Sequence, residues 1–495
     1  MRKLFMTLAL MFVLLLCFTG PSYADDNPVA DNPVIDRGTF EEIFDYVQRF
    51  HISKPASDIM IRGAIEGLIG SLNDPYTVYM PPEQLKDFND SLDGGFVGVG
   101  IHLRPGERYP VVVDTIENTP AEKAGIKPND QVIKVDGEDV ANEPLGKVVQ
   151  KIRGPEGTKV LLNIRREGAD DFELELARSS INVPTVNWKV LDDGSGYIRI
   201  NTFGVYTSEE FTKALTDLNQ QGVADLVLDL RDNPGGILSA AVRIASSFVE
   251  PGQVVVSTVD RNGKREEHRT EGRAIGKGMQ VAVLVDHDSA SAAEILAGAL
   301  QDYQAATIIG GRTYGKGTVQ VVVPLDAGGA LKLTVAEYHT PKDSVINGIG
   351  LSPDIQVITP GLQMFTAQHL FKPSEKNTVD LELEKPEAIV NGMTVQLKYP
   401  AVRFPDATYL PLRFALEALG YRVDWQPADS SVRVTGHGSD MILYTEDGRA
   451  ISGGQVIPVA APLLIDEGVT YIPLSDLNIF DISSKIDGSK ISIEK

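Results

Sequence analysis

QVAVLVDHDSASAAEILAGALQDY, residues 280–303, joins a strand-like apolar run to an alanine-rich helix through a junction of small and polar residues. QVAVLVD predicts a buried strand, and AAEILAGALQDY a helix. Between them stand His287, Ser289 and Ser291. A helix N-terminus gathers unpaired N–H groups and a positive partial charge. A serine placed there faces the open end of the sheet, where nearby N–H groups can hold a developing oxyanion. The ordinary alternative is an N-cap without chemistry.

Working outward, the same rhythm recurs. DLVLDL precedes NPGGILSAAVRIASSFV, and ATIIG follows the helix at 292, so residues 186–360 alternate strands and helices and predict an α/β layer structure. The junction LDLRDNPGGIL carries Gly235 and Gly236. Glycines there permit close backbone approach and leave N–H groups spare. Gly235 and Gly236 are therefore candidate oxyanion donors beside the N–H of Ala292, with a plain tight turn as the alternative.

Downstream, GGRTYGKGTVQVVVP (310–324) places Lys316 between two glycines at the start of a β-branched run. Counting by two puts Lys316, Thr318 and Gln320 on one strand face. A lysine on an inward face loses solvent, which lowers its pKa toward that of a general base. Gln320 can orient the amine without adding charge. A Ser-Lys pair is a variant of the triad logic. His287 is the rival base, four residues before Ser291. A phosphate loop is the rival reading of the glycines, but Gly317 stands where Ser or Thr belongs, and a strand follows instead of a helix.

Taken together, DLRDNPGG, SASAAEI and TYGKGTVQ resemble the C-terminal processing peptidases, also called tail-specific proteases. The resemblance covers roughly residues 36–360. It implies a serine enzyme with a built-in PDZ domain and a Ser-Lys dyad. It makes Ser291, not Ser289, the nucleophile, Lys316 the base and Gln320 its orienting partner. It further implies a crotonase/ClpP-like α/β core, no cofactor or metal, and a homodimer formed through N-terminal helices. Ala293, His287 and Asp288 depart from the family pattern, and none of these changes removes a dyad member.

Ahead of the core, TFEEIFDYVQRF and SDIMIRGAIEGLIGSL carry helical spacing, so 36–92 is expected to be a helical region. Residues 93–178 change to short strands and glycine turns. GGFVGVGIHL resembles the carboxylate-binding loop of PDZ domains, in which successive N–H groups form a nest and an adjoining strand edge accepts a peptide. Phe96, Val97, Gly98, Val99 and Gly100 are the candidate nest, and ENTPAEKAGIKPNDQVIKVDGEDV is also PDZ-like. Arg153 is a candidate sensor of the bound carboxylate. The core is expected at 179–360, a polar linker at 361–389, and a separate α+β unit at 390–495. In that last unit, ATYLPLRFALEALGYRVDWQ and VTYIPLSDL resemble the small repeat domain found beside copper amine oxidases. His437 has no ligand cluster around it, so this unit reads as a surface-docking or spacing module.

The first residues, MRKLFMTLALMFVLLLCFTGPSYADD, read as a signal peptide cleaved after Ala24. The 15-residue apolar run Leu4–Phe18 is short for a membrane span. The single cysteine, Cys17, lies within this segment, and Leu16 is a poor neighbour for lipoprotein processing. The chain carries 46 basic against 68 acidic residues, a formal charge of −22, which repels phosphate backbones and argues against nucleic acid. Two function classes remain: a bacterial extracytoplasmic serine endopeptidase acting on proteins with free C-termini, or a non-catalytic PDZ surface adaptor.

Overall fold

The computed structural model describes residues 36–92, 95–182, 184–373, 376–405, 407–445 and 448–495. The expected signal peptide, 1–24, lies outside them. The chain divides into a short unit ending at Asn73 and a large one spanning Asp74–Lys495.

In the first unit, helices Arg37–Phe50 and Ser57–Gly70 contain no buried residue. The Asp36 side chain caps the first of them by accepting the N–H of Thr39 at 2.8 Å. Its aromatics pair at four-residue spacing, Phe40 with Phe44 and Tyr46 with Phe50.

The large unit holds three cores. The first belongs to an antiparallel sheet in which Ile101–Arg104, Val111–Thr115, Gln131–Val135, Lys159–Arg165 and Phe172–Ala177 are successive neighbours. Helix Leu145–Ile152 buries Val148 and Ile152 against it. The chain enters and leaves this sheet region through one antiparallel ribbon, Gly95–Gly98 against Ser179–Asn182.

The second core surrounds a six-stranded sheet ordered 186–190, 196–200, 225–229, 280–285, 307–310, 355–356. Its first pair is antiparallel and the others are parallel. Leu226, Val227, Leu228, Val283 and Leu284 have no exposed surface, the mark of strands covered on both faces. Helices Thr207–Gln220, Leu238–Ala245 and Ala292–Asp302 pack on one face. A second sheet pairs Ala330–His339 with Val78–Met80, Val254–Asp260 and Thr318–Pro324.

The span 361–389, expected as a linker, is instead structured. Helix Pro360–Phe371 buries Leu362, Phe365 and Ala367 in the third core, together with Val227, Ala282 and Leu284 of the six-stranded sheet. Strand Thr378–Glu382 then sits centrally in a C-terminal sheet, between Glu387–Val390 and Lys490–Glu494.

The two Tyr-x-Pro-Leu copies are neighbours in space. Tyr409, Leu410 and Pro411 pair antiparallel with Pro473, Ile472 and Tyr471. Each strand runs through its proline into a helical turn, Leu412–Glu417 and Leu474–Phe480.

Candidate active site

Ser291 is the N-cap of helix Ala292–Asp302 and has φ 55° and ψ −114°, a backbone conformation that is strained for a residue with a Cβ. Ser291 lines a cavity of about 420 Å³ together with Lys316, Thr318, Gln320, Gly235 and Gly236. Ser289, two residues earlier, has no exposed surface. Its hydroxyl donates to Leu230 O at 2.8 Å and accepts from the N–H of Asp286 at 2.9 Å, so it is committed to the loop. The His287 side chain is 82% exposed, sits edge-on to Tyr314, and does not line the cavity.

Lys316 is the half-buried partner. Burial, and secondarily the positive charge of Lys332, hold its amine below the usual lysine range, while Glu294 opposes the shift. Its Nζ lies 4.8 Å from the Tyr76 ring centroid, in cation–π contact. Burial and the neighbouring Tyr314 push Tyr76 up to about 12, so its phenol stays neutral. Among the described residues no hydrogen bond joins Lys316 Nζ to Ser291 Oγ.

The backbone around both residues converges on Glu294, which has no exposed surface. Its Oε2 accepts the N–H of Ser291 at 2.8 Å and that of Lys316 at 2.9 Å. Its Oε1 accepts the N–H of Gly315 at 2.7 Å and the hydroxyl of Thr313. Tyr338, 1% exposed, closes the cluster with a hydroxyl directed at the carbonyl of Lys316. Burial, then the charge of Glu294, keeps that phenol protonated.

Residues 194–357 match peptidase family S41, 111–166 the PDZ domain, 30–84 the activating protease CtpB N-terminal domain, and 389–494 the copper amine oxidase N-terminal domain. The carboxy-terminal processing protease CtpB of Bacillus subtilis is 34% identical over 72% of this chain and 74% of its own. The chain belongs to the carboxy-terminal processing proteases of peptidase family S41. That membership carries the serine-type peptidase class. A probable CtpA-like serine protease of Staphylococcus epidermidis is 36% identical over 65% of this chain, and the match spans 66% of that protein's length. A solved photosystem II D1 C-terminal processing protease is 32% identical, covering 65% of this chain and 87% of that one, with a TM-score of 0.42.

Three expectations for this carboxy-terminal processing protease are revised. The N–H of Gly235, a candidate oxyanion donor, is already given to Asn233 Oδ1 at 2.8 Å. Gly235 serves by its missing side chain: a Cβ there would stand 2.7 Å from Ser291 Cβ and 2.8 Å from Ala292 N, at φ +91°. The N–H groups of Gly236 and Ala292 find no acceptor among the described residues. Among the described residues no hydrogen bond joins Gln320 to the Lys316 amine. Its Nε2 donates to Thr318 Oγ1 at 2.9 Å and Thr334 Oγ1 at 3.3 Å, which leaves its carbonyl oxygen available. A bulge between Val319 and Gln320 breaks the alternation by two, so Val319 also lines the cavity.

The PDZ candidates separate as well. Phe96, Val97 and Gly98 are paired in the entry ribbon with Ile181, Ser180 and Ser179. Beyond it, the N–H groups of Val99 and Gly100 find no acceptor among the described residues, although both residues are buried. Gly100 is obligatory, because at φ +86° a Cβ would meet Thr119 Cβ at 2.3 Å. Arg153 is exposed at the C-cap of helix Leu145–Ile152.

Sequence reasoning passed over Glu294, Tyr338, Tyr76 and the buried Asp229–Arg231 pair. Glu294 had a signal: a carboxylate three residues after a serine at a helix start has capping-box spacing. Asp229 interrupts the apolar run LVLDL without exposed surface. Burial would raise its carboxyl, but Arg231, bonded to it at 2.8 Å and 2.6 Å, holds it below the usual range.

Proposed function

We propose that this protein is an extracytoplasmic serine endopeptidase that recognises protein C-termini through its PDZ domain and cleaves with a Ser291–Lys316 dyad. The observation that carries this reading is the shared cavity in which Ser291 faces a desolvated lysine, both fastened through their backbones to buried Glu294. Neutral Lys316 turns from the Tyr76 ring and takes the Ser291 hydroxyl proton. Oγ attacks the scissile carbonyl, and the N–H groups of Gly236 and Ala292 hold the oxyanion. The lysine ammonium then protonates the leaving amine, and water, activated by the same amine, releases the acyl group. Gln320 accepts an N–H of the amine through its free carbonyl.

In the PDZ domain, the unpaired N–H groups of Val99 and Gly100 support a nest for the substrate's terminal carboxylate, with Arg153 as its sensor. The exposed Phe40, Ile43 and Tyr46 of the first helix support self-association, and the C-terminal unit is read as a docking module. No helix among the described residues is long and apolar enough to cross a membrane.

The test is cleavage of an unfolded protein substrate by wild type, Ser291→Ala and Lys316→Arg. Both variants are expected to be inactive, since guanidinium does not deprotonate in proteins. Cleavage that survives Ser291→Ala overturns the assignment.

A further inference from the structure

The cavity contains a second cation beside the Lys316 of the dyad. Lys332, on strand Ala330–His339, lines the same cavity as Ser291 and Lys316, on a wall that includes Phe88 and Val322. It stands directly across the sheet from Val322 and, on its other side, from Val78. Its Nζ lies 5.3 Å from the Phe88 ring centroid. Among the described residues no carboxylate pairs with it. The residues lining the cavity include two charged side chains, and both are lysines, in a chain with 68 acidic residues against 46 basic.

An ammonium that lines a cavity and has no counter-ion among the described residues draws an anion that enters the cavity. When Lys316 acts as a neutral base, Lys332 supplies the cavity's positive charge. The wall around it is apolar, formed by Phe88 and Val322, so the favoured group has an aliphatic stem ending in a negative charge.

We infer that Lys332 is a specificity-determining residue that seats a substrate carboxylate beside the scissile bond. This rests on the dyad reading above and adds the substrate chemistry of one subsite. The carboxylate comes either from an acidic side chain flanking the cleaved bond, glutamate above all, or from the free terminus of a short tail.

The experiment measures kcat/KM on matched peptides with the full chain. One arm uses C-terminally amidated peptides carrying Gln, Glu or Lys at each position flanking the scissile bond. The other compares free and amidated termini on short tails. Ratios within one enzyme cancel any change in Lys316 basicity. If the carboxylate is a side chain, wild type prefers Glu to Gln by about tenfold at one position, as a charge-assisted bond requires. K332M brings that ratio to about one, K332R keeps it, and K332E prefers Lys. If the carboxylate is the terminus, K332M instead removes the part of the free-over-amide preference that the PDZ domain does not supply. Glu/Gln and free/amide ratios both unchanged in K332M and K332E overturn the inference. Cleavage by Ser291→Ala would overturn the dyad while leaving these ratios readable.

Discussion

The backbone N–H groups of Ser291 and Lys316 converge on one carboxylate oxygen, at 2.8 Å and 2.9 Å. That oxygen belongs to Glu294, which is sealed from solvent. Residues 25 positions apart in the chain are thus held to a common anchor, and the cavity between them keeps its shape without a direct bond. Glu294→Gln replaces one acceptor oxygen by a donor that faces other donors. Hydrogen bonds to charged groups are worth about 1.5–3 kcal/mol each, so urea unfolding should show a loss of about that size or more. kcat should fall at least tenfold, and Glu294→Asp should not restore it, being one methylene short. Wild-type turnover in Glu294→Gln would remove the anchor from the mechanism.

The two serines should separate by phenotype. Ser291→Ala should abolish cleavage while leaving unfolding nearly unchanged. Ser289→Ala leaves the carbonyl of Leu230 and the N–H of Asp286 without their partner. It should cost about 1–3 kcal/mol of stability yet retain measurable turnover. Equal kinetic loss in both variants contradicts the assignment.

Activity should rise with pH. The working base is the neutral amine, and burial first, then Lys332, hold the Lys316 pKa down. The midpoint of deprotonation therefore falls below the free-lysine value of about 10.4, and kcat/KM should climb with a midpoint below that pH. Lys332→Met removes a like charge, so Lys316 should hold its proton to higher pH and the ascending limb should move upward. His287→Ala, altering an exposed ring, should leave the limb in place. A profile that vanishes with His287 would transfer the base role to the histidine.

The PDZ domain should read a free carboxylate. Amidating the C-terminus of an unfolded substrate should weaken productive binding about ten- to a hundredfold, from the loss of charge-assisted bonds. Gly100→Ala, whose Cβ would overlap Thr119, should erase the difference between free and amidated substrates. Time courses at subsaturating substrate decide it; identical rates in wild type leave the domain a spacer.

Local pattern carried much of this protein. The apolar runs at 225–229 and 280–285 announce strands covered on both faces, because each strand's neighbours are other buried strands. The serine at 291 and the lysine at 316 are legible because small residues and glycines mark the sites of close backbone approach. What depended on residues distant in sequence had to await the tertiary structure. Tyr76 meets the Lys316 amine from far ahead of it in the chain, and Tyr338 of strand Ala330–His339 reaches the Lys316 carbonyl. The span 361–389 read as a polar linker, yet helix Pro360–Phe371 at its start is held by apolar contacts with the central sheet. Periodicity reports which faces are apolar, and only packing determines which surface covers them and which polar atom reaches a given N–H.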